Sequence, residues 1–246
     1  MNSLYSQWKK EEQTPFSGWD FSYIRKRLKK ENPPWDYKRR AKDLIKKATT
    51  VLDMGTGGGE FLSSLGPFPK HTMATESWPP NMPIARKKLK PLGIKVVQVD
   101  KSGKLPFTNQ EFNLVLNRHS SYNTQEVFRV LKKDGVFLTQ QVGGDNLEDL
   151  RKEFNVGSKF KNWKLEKTKR DLKGVGFKIE QAESWSGKIE FKDVGALVHC
   201  LKAIPWIVEN FSVDNYLPIL ESLQKRIDEG KKLIFTETKF LIQAKK

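Results

Sequence analysis

Cysteine is almost absent from this chain. One residue, Cys200, stands among 246, which excludes an internal disulfide and any cysteine-based zinc site. Its neighbours Leu197, Val198 and Leu201 give it the reading of a small core residue. No apolar run approaches the ~20 residues that span a bilayer. The opening stretch Met1-Asn2-Ser3-Leu4-Tyr5-Ser6-Gln7-Trp8-Lys9-Lys10 lacks the apolar core of a signal peptide, so the expected location is cytoplasmic, without a membrane partner. Internal repeats and low-complexity tracts are also missing, which removes solenoid and fibrous architectures.

What is abundant is positive charge. Lys and Arg number 45 against 29 Asp and Glu, a formal net charge of +16, and such an excess invites a nucleic-acid partner. Its distribution tempers the invitation, because residues 1–50 hold 13 of the basic and 6 of the acidic residues. The excess is densest at Arg25-Lys26-Arg27-Leu28-Lys29-Lys30 and Lys38-Arg39-Arg40. A lysine-rich solvated surface explains it equally well.

Apolar content is sufficient for one sizeable core, and the pattern along residues 1–246 predicts a single domain with additions. Residues 1–35 form an arm in which Phe16, Trp19, Phe21 and Trp35 accompany the basic stretch, and Pro33-Pro34 block helix continuation. So many aromatics in an arm must dock on something. They either staple it to the core or close it as a lid over a ligand.

From Asp36 to Thr50 the spacing of Ala41, Leu44, Ile45 and Ala48 predicts a helix. Beyond it, short apolar strands alternate with helical segments: strands at Val51–Asp53, His71–Glu76, Ile94–Asp100, Phe112–Asn117, Val136–Gln141 and Phe177–Trp185, and a last one within Lys232–Gln243. Helices are expected after the first glycine turn and at 81–92, 124–131, 147–154 and 167–174. This alternation predicts an α/β, doubly wound, mostly parallel sheet with helices on both faces. Residues 187–231 interrupt it with a mostly helical insertion, which reads as a cap.

The whole pattern turns on Val51-Leu52-Asp53-Met54-Gly55-Thr56-Gly57-Gly58-Gly59-Glu60. A β-prone run ends at an acidic residue, crosses four glycines and re-enters a helical pattern, which is a turn built for close approach of a ligand to backbone N–H groups. Carboxylates also end the next two strands, Glu76 and Asp100. In a parallel sheet all three share the carboxyl edge, where ligands bind. Glu60 occupies the place where a dinucleotide fingerprint has its third glycine, and no Gly-Lys-Ser/Thr follows, so neither a nicotinamide nor a P-loop nucleotide site is written here.

The loop Asp53-x-Gly55-x-Gly57, the acidic end of the second strand and Asp100 followed by Leu105-Pro106-Phe107 resemble, in order and spacing, the class I S-adenosylmethionine-dependent methyltransferases. The likeness covers roughly residues 40–186 and the last strand. It implies a Rossmann-like sheet of seven strands whose last strand is antiparallel. It also implies that Gly55, Thr56 and Gly57 meet the amino-acid part of S-adenosyl-L-methionine while Asp53 orders the loop and the ammonium. Glu76 would hold the ribose, and Asp100, with Lys101 and Ser102, the adenine. Asn117 completes the implied cofactor set.

After the fourth strand, Asn117-Arg118-His119-Ser120-Ser121-Tyr122-Asn123 falls where this family places residues beside the methyl group. His119 reads either as a general base or as a buried structural histidine. Arg118 reads as a partner for an anionic substrate group or as a structural bridge. Gln140, Gln141 and Gly143-Gly144 form another wall of the site. Trp19, Phe21, Gln141 and Trp206 are the candidate substrate contacts, and no metal site is expected. Lacking Asn-Pro-Pro-Tyr or Asp-Pro-Pro-Tyr after the fourth strand, and lacking a cysteine nucleophile, the sequence points away from amino-group base methylation and from covalent pyrimidine chemistry. The expected function is methyl transfer to a small organic acceptor, in the manner of proteins similar to the ubiquinone/menaquinone-biosynthesis C-methyltransferases. An RNA-base methyltransferase using the basic N-terminal region and a non-catalytic cofactor-binding protein are the alternatives.

Overall fold

In the computed structural model, residues 3–100 and 102–246 are described. Eight strands form one sheet: β1 (Leu28–Lys30), β2 (Thr50–Met54), β3 (His71–Glu76), β4 (Lys95–Gln98), β5 (Phe112–Arg118), β6 (Leu131–Val142), β7 (Lys178–Phe191) and β8 (Leu233–Lys245). Their spatial order is β1-β7-β8-β6-β5-β2-β3-β4. The pairs β2–β3, β2–β5, β3–β4 and β5–β6 are parallel, while β8 lies antiparallel between β6 and β7. This is the expected doubly wound sheet with its antiparallel last strand.

The count differs by one. Leu28–Lys30, read from sequence as part of a basic arm, pairs antiparallel with the end of β7. Three residues carry no legible alternation, and it is the unpaired edge of β7 that makes them a strand. The two lysines on it also blunt the new edge against further pairing.

Two helical layers sandwich the parallel part. Helix α2 (Tyr37–Ile45), capped by Asp36 accepting from the Arg39 N–H, packs Tyr37, Ala41 and Ile45 with α3 (Glu60–Ser63) and α4 (Asn81–Leu89) against Val51, Leu114, Leu116 and Leu138. On the opposite face α5 (Thr124–Val130) and α7 (Leu165–Gly174) cover Leu52, Val115, Phe137 and Ile242. At 2.9 and 3.3 Å, Asn123 Oδ1 accepts from the first N–H groups of α5, which fixes where the loop after β5 must end.

A third core lies beyond the carboxyl edge. The hairpin β7–β8 continues to Phe191 opposite Leu233, well past the parallel strands, and four helices pack around its extension. They are α1 (Ser3–Gln13), α6 (Glu148–Glu153), α8 (Val194–Ala203) and α9 (Leu217–Asp228). Residues 187–191, expected to begin the helical insertion, are strand. Helix α8 is apolar on every side, so it is buried all round, Cys200 included. Burial pushes the Cys200 thiol up to about 12, so it stays a protonated packing group.

The N-terminal arm belongs to this third core. Arg27 holds α1 and α8 together by donating to Glu11 at 2.7 Å and to Asp193 at 2.9 Å, and Tyr5 donates to Asp214 at 2.6 Å. Removing Arg27 leaves two carboxylates facing each other in a half-buried site. Arg27→Ala is expected to destabilise the fold by about 2–4 kcal/mol, measurable as a lowered urea midpoint with unchanged slope. Arg40 likewise pairs with Glu183 at 2.7 Å, so part of the basic N-terminal charge is engaged inside the molecule. Among the described residues, no helix is long and apolar enough to cross a membrane.

Candidate functional site

At the carboxyl edge of β2 the chain must reverse into α3 within a few residues, and it does so with Gly55, Gly57 and Gly59 at φ of 68°, 64° and 82°. These values need glycine, and at Gly55 space does too. A Cβ there would overlap the side chain of Ser120 from the loop after β5. The backbone loop is pinned from the neighbouring strand by Thr56 N–H donating to the Thr75 carbonyl at 2.9 Å. Helix α3 is a single turn, so the macrodipole that a longer helix would add is small, and the cradle rests on the loop itself.

Glu76 organises that loop. Its carboxylate, 5% exposed, accepts from Gly57 N–H at 2.6 Å, Ser77 N–H at 2.8 Å and Trp78 N–H at 2.7 Å. One side chain thereby fixes the glycine turn and the start of the loop after β3. Trp78, left 59% exposed beside it, was not singled out in sequence because a lone tryptophan between Ser77 and two prolines carries no period.

Asp53 is buried at the end of β2, 6% exposed. Loss of solvent pushes its carboxyl up to about 7, the nearby Thr56 hydroxyl and Arg118 guanidinium pull it down, and Glu76 pushes it further up. Thr56 Oγ1 and Asn117 Nδ2 are buried without a hydrogen-bond partner. A cradle of glycines with buried polar atoms unmatched along it, bounded by two carboxylates, fits a ligand that brings both an ammonium and hydroxyl groups. The residues therefore suit the cofactor implied by the sequence.

Asp100 lies past the end of β4, exposed, and accepts from the N–H and Oγ of Ser102. These bonds hold its carboxyl below the usual range. Lys101, the third of the adenine-side candidates, lies outside the described residues. A groove of about 580 Å3 bounded by Met73, Arg86, Val97 and Phe107 flanks this outer edge of the sheet, and none of the site candidates lines it.

Beyond β5 the two predicted residues differ in character. His119 has a φ of 61° and its N–H donates to the Gln140 carbonyl at 2.8 Å. Trp35 Nε1, which can only donate, reaches Gln140 Oε1 at 2.7 Å, so the other end of that amide is the donor. Gln140 Nε2 lies 2.9 Å from His119 Nε2. The ring nitrogen there accepts, and the imidazole proton sits on Nδ1. Burial, reinforced by the charges of Arg118, Lys239 and Lys30, holds the His119 pKa well below the ordinary histidine range. His119 is thus neutral, with its Nε2 lone pair already engaged.

Arg118 lays its guanidinium 4.4 Å from the Phe61 ring centre and has no carboxylate in ion-pair distance among the described residues. Gln141, a candidate substrate contact, is 3% exposed. Its Nε2 donates to Asn117 Oδ1, Thr139 Oγ1 and the Ser120 carbonyl at 2.5, 2.8 and 3.1 Å. The geometry assigns it to holding the Asn117 amide and the Ser120 loop rather than to touching a substrate.

The other three substrate candidates come together. Trp19 stacks on Trp206 with centroids 5.8 Å apart and planes at 1°, and packs edge-on to Phe21 at 5.4 Å. A Cβ on Gly57 would stand 3.9 Å from Trp19 Cβ, and one on Gly18 would stand 2.8 Å from Glu60 Oε1. The arm therefore lies across the glycine loop and is latched to the insertion. The contact staples the arm to the insertion and sets Trp19 beside Gly57.

Residues 52–139 match the family model of a methyltransferase domain. No curated protein sequence matches the chain. Among solved structures the chain is similar to a methyltransferase candidate from Bacillus halodurans C-125, with TM-score 0.62 and 20% identity over 85% of this chain and 98% of that one. It is similar to the YcgJ protein from Bacillus subtilis with TM-score 0.58 and 19% identity over 85% and 98% of the two chains. A geranyl diphosphate methyltransferase in complex with GPP and sinefungin gives TM-score 0.51 and 12% identity over 85% and 77%. At these identities the likeness concerns the fold.

Proposed function

We propose that this chain, whose residues 52–139 match the family model of a methyltransferase domain, is a class I S-adenosylmethionine-dependent methyltransferase that binds S-adenosyl-L-methionine across Asp53, the Gly55–Gly57 loop and Glu76, and methylates a small organic acceptor held under the arm and cap. The observation that carries this reading is the Glu76 carboxylate bound to the Gly57 N–H, which ties the amino-acid and ribose ends of the cradle to one side chain. A structural neighbour solved with sinefungin, an analogue of that cofactor, supports the ligand class.

When bound, the cofactor supplies a methyl group on a positively charged sulfur whose leaving group is already activated. The protein is left with orientation, water exclusion and, where the acceptor needs it, a proton. Asp53 would face the ammonium of the amino-acid part, and the unpartnered Asn117 Nδ2 and Thr56 Oγ1 are available to the same end. Glu76 would accept from the ribose hydroxyls. Asp100, with Ser102 against its carboxylate, closes the adenine side.

Arg118 and the neutral His119 stand at the acceptor side. With Nε2 held by Gln140, His119 presents Nδ1–H as a donor, and its role here is to orient an acceptor oxygen rather than to remove a proton. Trp19, Phe21 and Trp206 cover the site from the cap.

Calorimetric titration with S-adenosylhomocysteine tests the reading directly. Saturable binding in the micromolar range is expected, and no heat at millimolar ligand overturns it. The latch makes a second expectation. Trp19→Ala removes the ring that bridges the loop to Trp206, so S-adenosylhomocysteine release in stopped flow should quicken about tenfold while the association rate changes little. An unchanged release rate would mean that the arm does not cover the ligand.

A further inference from the structure

The face of the sheet that carries α2 gathers an uncompensated positive cluster at its carboxyl edge. Lys239 lies in β8 opposite Trp185 of β7 and Val142 of β6, with Nζ 5.4 Å from the Trp185 ring centre. Glu237, one pleat away on the same strand, accepts from Lys239 at 3.2 Å and from Lys30 of β1 at 3.3 Å. Arg118, at the end of β5 and opposite Gln140, rests on Phe61 instead of on a carboxylate.

Two lysines thus share one carboxylate, and Arg118 has none in ion-pair distance among the described residues. The carboxylate that bears on Arg118 is Asp53, whose carboxyl burial raises to about 7, and Tyr37 faces Arg118 as a phenol, its hydroxyl donating to the Asn117 carbonyl at 3.1 Å. The Lys239 side chain is 16% exposed, and burial together with the neighbouring charges of Lys30 and Arg118 lowers its pKa. Like charges brought this close in a half-buried place cost free energy that the fold has no structural reason to bear. Strand pairing nevertheless fixes all three there, with aromatic walls from Trp185 and Phe61.

We propose that Arg118, Lys239 and Lys30 bind an anionic group on the methyl acceptor, so that the substrate class is a small organic acid or phosphate monoester with an apolar or aromatic body. This rests on the function proposed above and narrows it. Arg118 offers planar paired donors to a carboxylate or phosphate, Lys239 a point charge beside Trp185, and Lys30 a third contact from the arm. Lys30 comes from the edge strand β1 and Lys239 from β8, so the anion would be held from two strands of the sheet.

The same chemistry is present in the carboxylate of the cofactor's amino-acid part, so the experiment separates the two. Protein saturated with S-adenosylhomocysteine is titrated with phenyl phosphate and with inorganic phosphate at constant ionic strength, followed by calorimetry. Both are expected to bind the complex, phenyl phosphate more tightly. Arg118→Gln and Lys239→Met should each weaken phenyl phosphate at least tenfold, and Lys30→Gln about threefold. S-adenosylhomocysteine affinity in the two lysine variants should stay within twofold of the parent.

Loss of phosphate binding once S-adenosylhomocysteine is saturating assigns the cluster to the cofactor and overturns the proposal. So does phosphate binding that is indifferent to both lysines. If Lys239→Met does not fold, Lys30→Gln, whose side chain is 44% exposed on an edge strand, carries the same decision. Failure of the parent protein to bind S-adenosylhomocysteine strikes the cofactor reading instead, and phosphate titration of the free protein then still decides the anion site.

Discussion

Glu76→Gln is expected to weaken S-adenosylhomocysteine binding by at least a hundredfold, ~2.7 kcal/mol, and to lower the stability of the free protein as well. The reason is the number of donors on one buried carboxylate. Gly57, Ser77 and Trp78 all give their N–H groups to it, and hydrogen bonds to a charged acceptor are worth about 1.5–3 kcal/mol each when one partner is removed. An amide of the same shape offers one oxygen, and its NH2 end must face an N–H. The glycine turn then loses its anchor on β3, and on the proposed reading the ribose would lose its acceptor at the same time. Calorimetry for binding and urea denaturation for stability read the two effects separately. A variant as stable as the parent with undiminished affinity would remove Glu76 from the site.

The residues around that carboxylate were legible in the sequence because their signals are local. A β-prone run ending in Asp53, glycines that only a left-handed turn requires, and a second acidic strand end 21 positions after Gly55 need no knowledge of the rest of the chain. The strand His71–Glu76 matches its expected limits for the same reason. Pairing information is different. Residues 187–191 read in sequence as the opening of the helical insertion, yet they are strand because β8 runs alongside them to Leu233. Ser3–Gln13 looks polar, yet it is helical because it docks on α8 from nearly two hundred residues away.

The same division runs through the site. Arg118 and His119 follow a predicted strand and could be named. Lys239, Glu237 and Trp185 could not, since only the antiparallel insertion of β8 between β6 and β7 brings them to Arg118. The one available signal was a charged pair, Glu237 and Lys239, inside a strand that the sheet places centrally. Charges are rare there unless they pair or bind something. Gln141, which the sequence offers as a substrate contact, donates internally to Asn117, Thr139 and Ser120, partners that no local signal marks.

Asp53→Asn should weaken cofactor binding at least tenfold at pH 7.5 and yet stabilise the free protein at neutral pH and above. Burial raises the Asp53 carboxyl from the ordinary aspartate range to about 7, so the native state holds this proton more firmly than the unfolded chain does. Between about pH 4 and pH 7 the native protein then binds more protons than the unfolded one, and stability falls as pH rises through that window, by up to about 4 kcal/mol for a change of about three pKa units. Above pH 7 both states are ionised and the penalty is constant. The asparagine variant has no such penalty. Its Tm at pH 8 should exceed that of the parent, by about 2–4 °C for each kcal/mol recovered in a chain of this size, and the difference should shrink toward pH 4.5. Binding runs the other way. On the proposed reading the ammonium of S-adenosylhomocysteine would pair with the ionised carboxylate, so the parent's affinity should rise between pH 5.5 and 7.5, below the range in which an α-amino group loses its own proton. In Asp53→Asn the affinity should be at least tenfold lower at pH 7.5 and nearly flat with pH. An asparagine variant that is less stable at pH 8, or whose binding keeps the parent's slope, would show that Asp53 is not the group held protonated in the empty site and ionised against the cofactor.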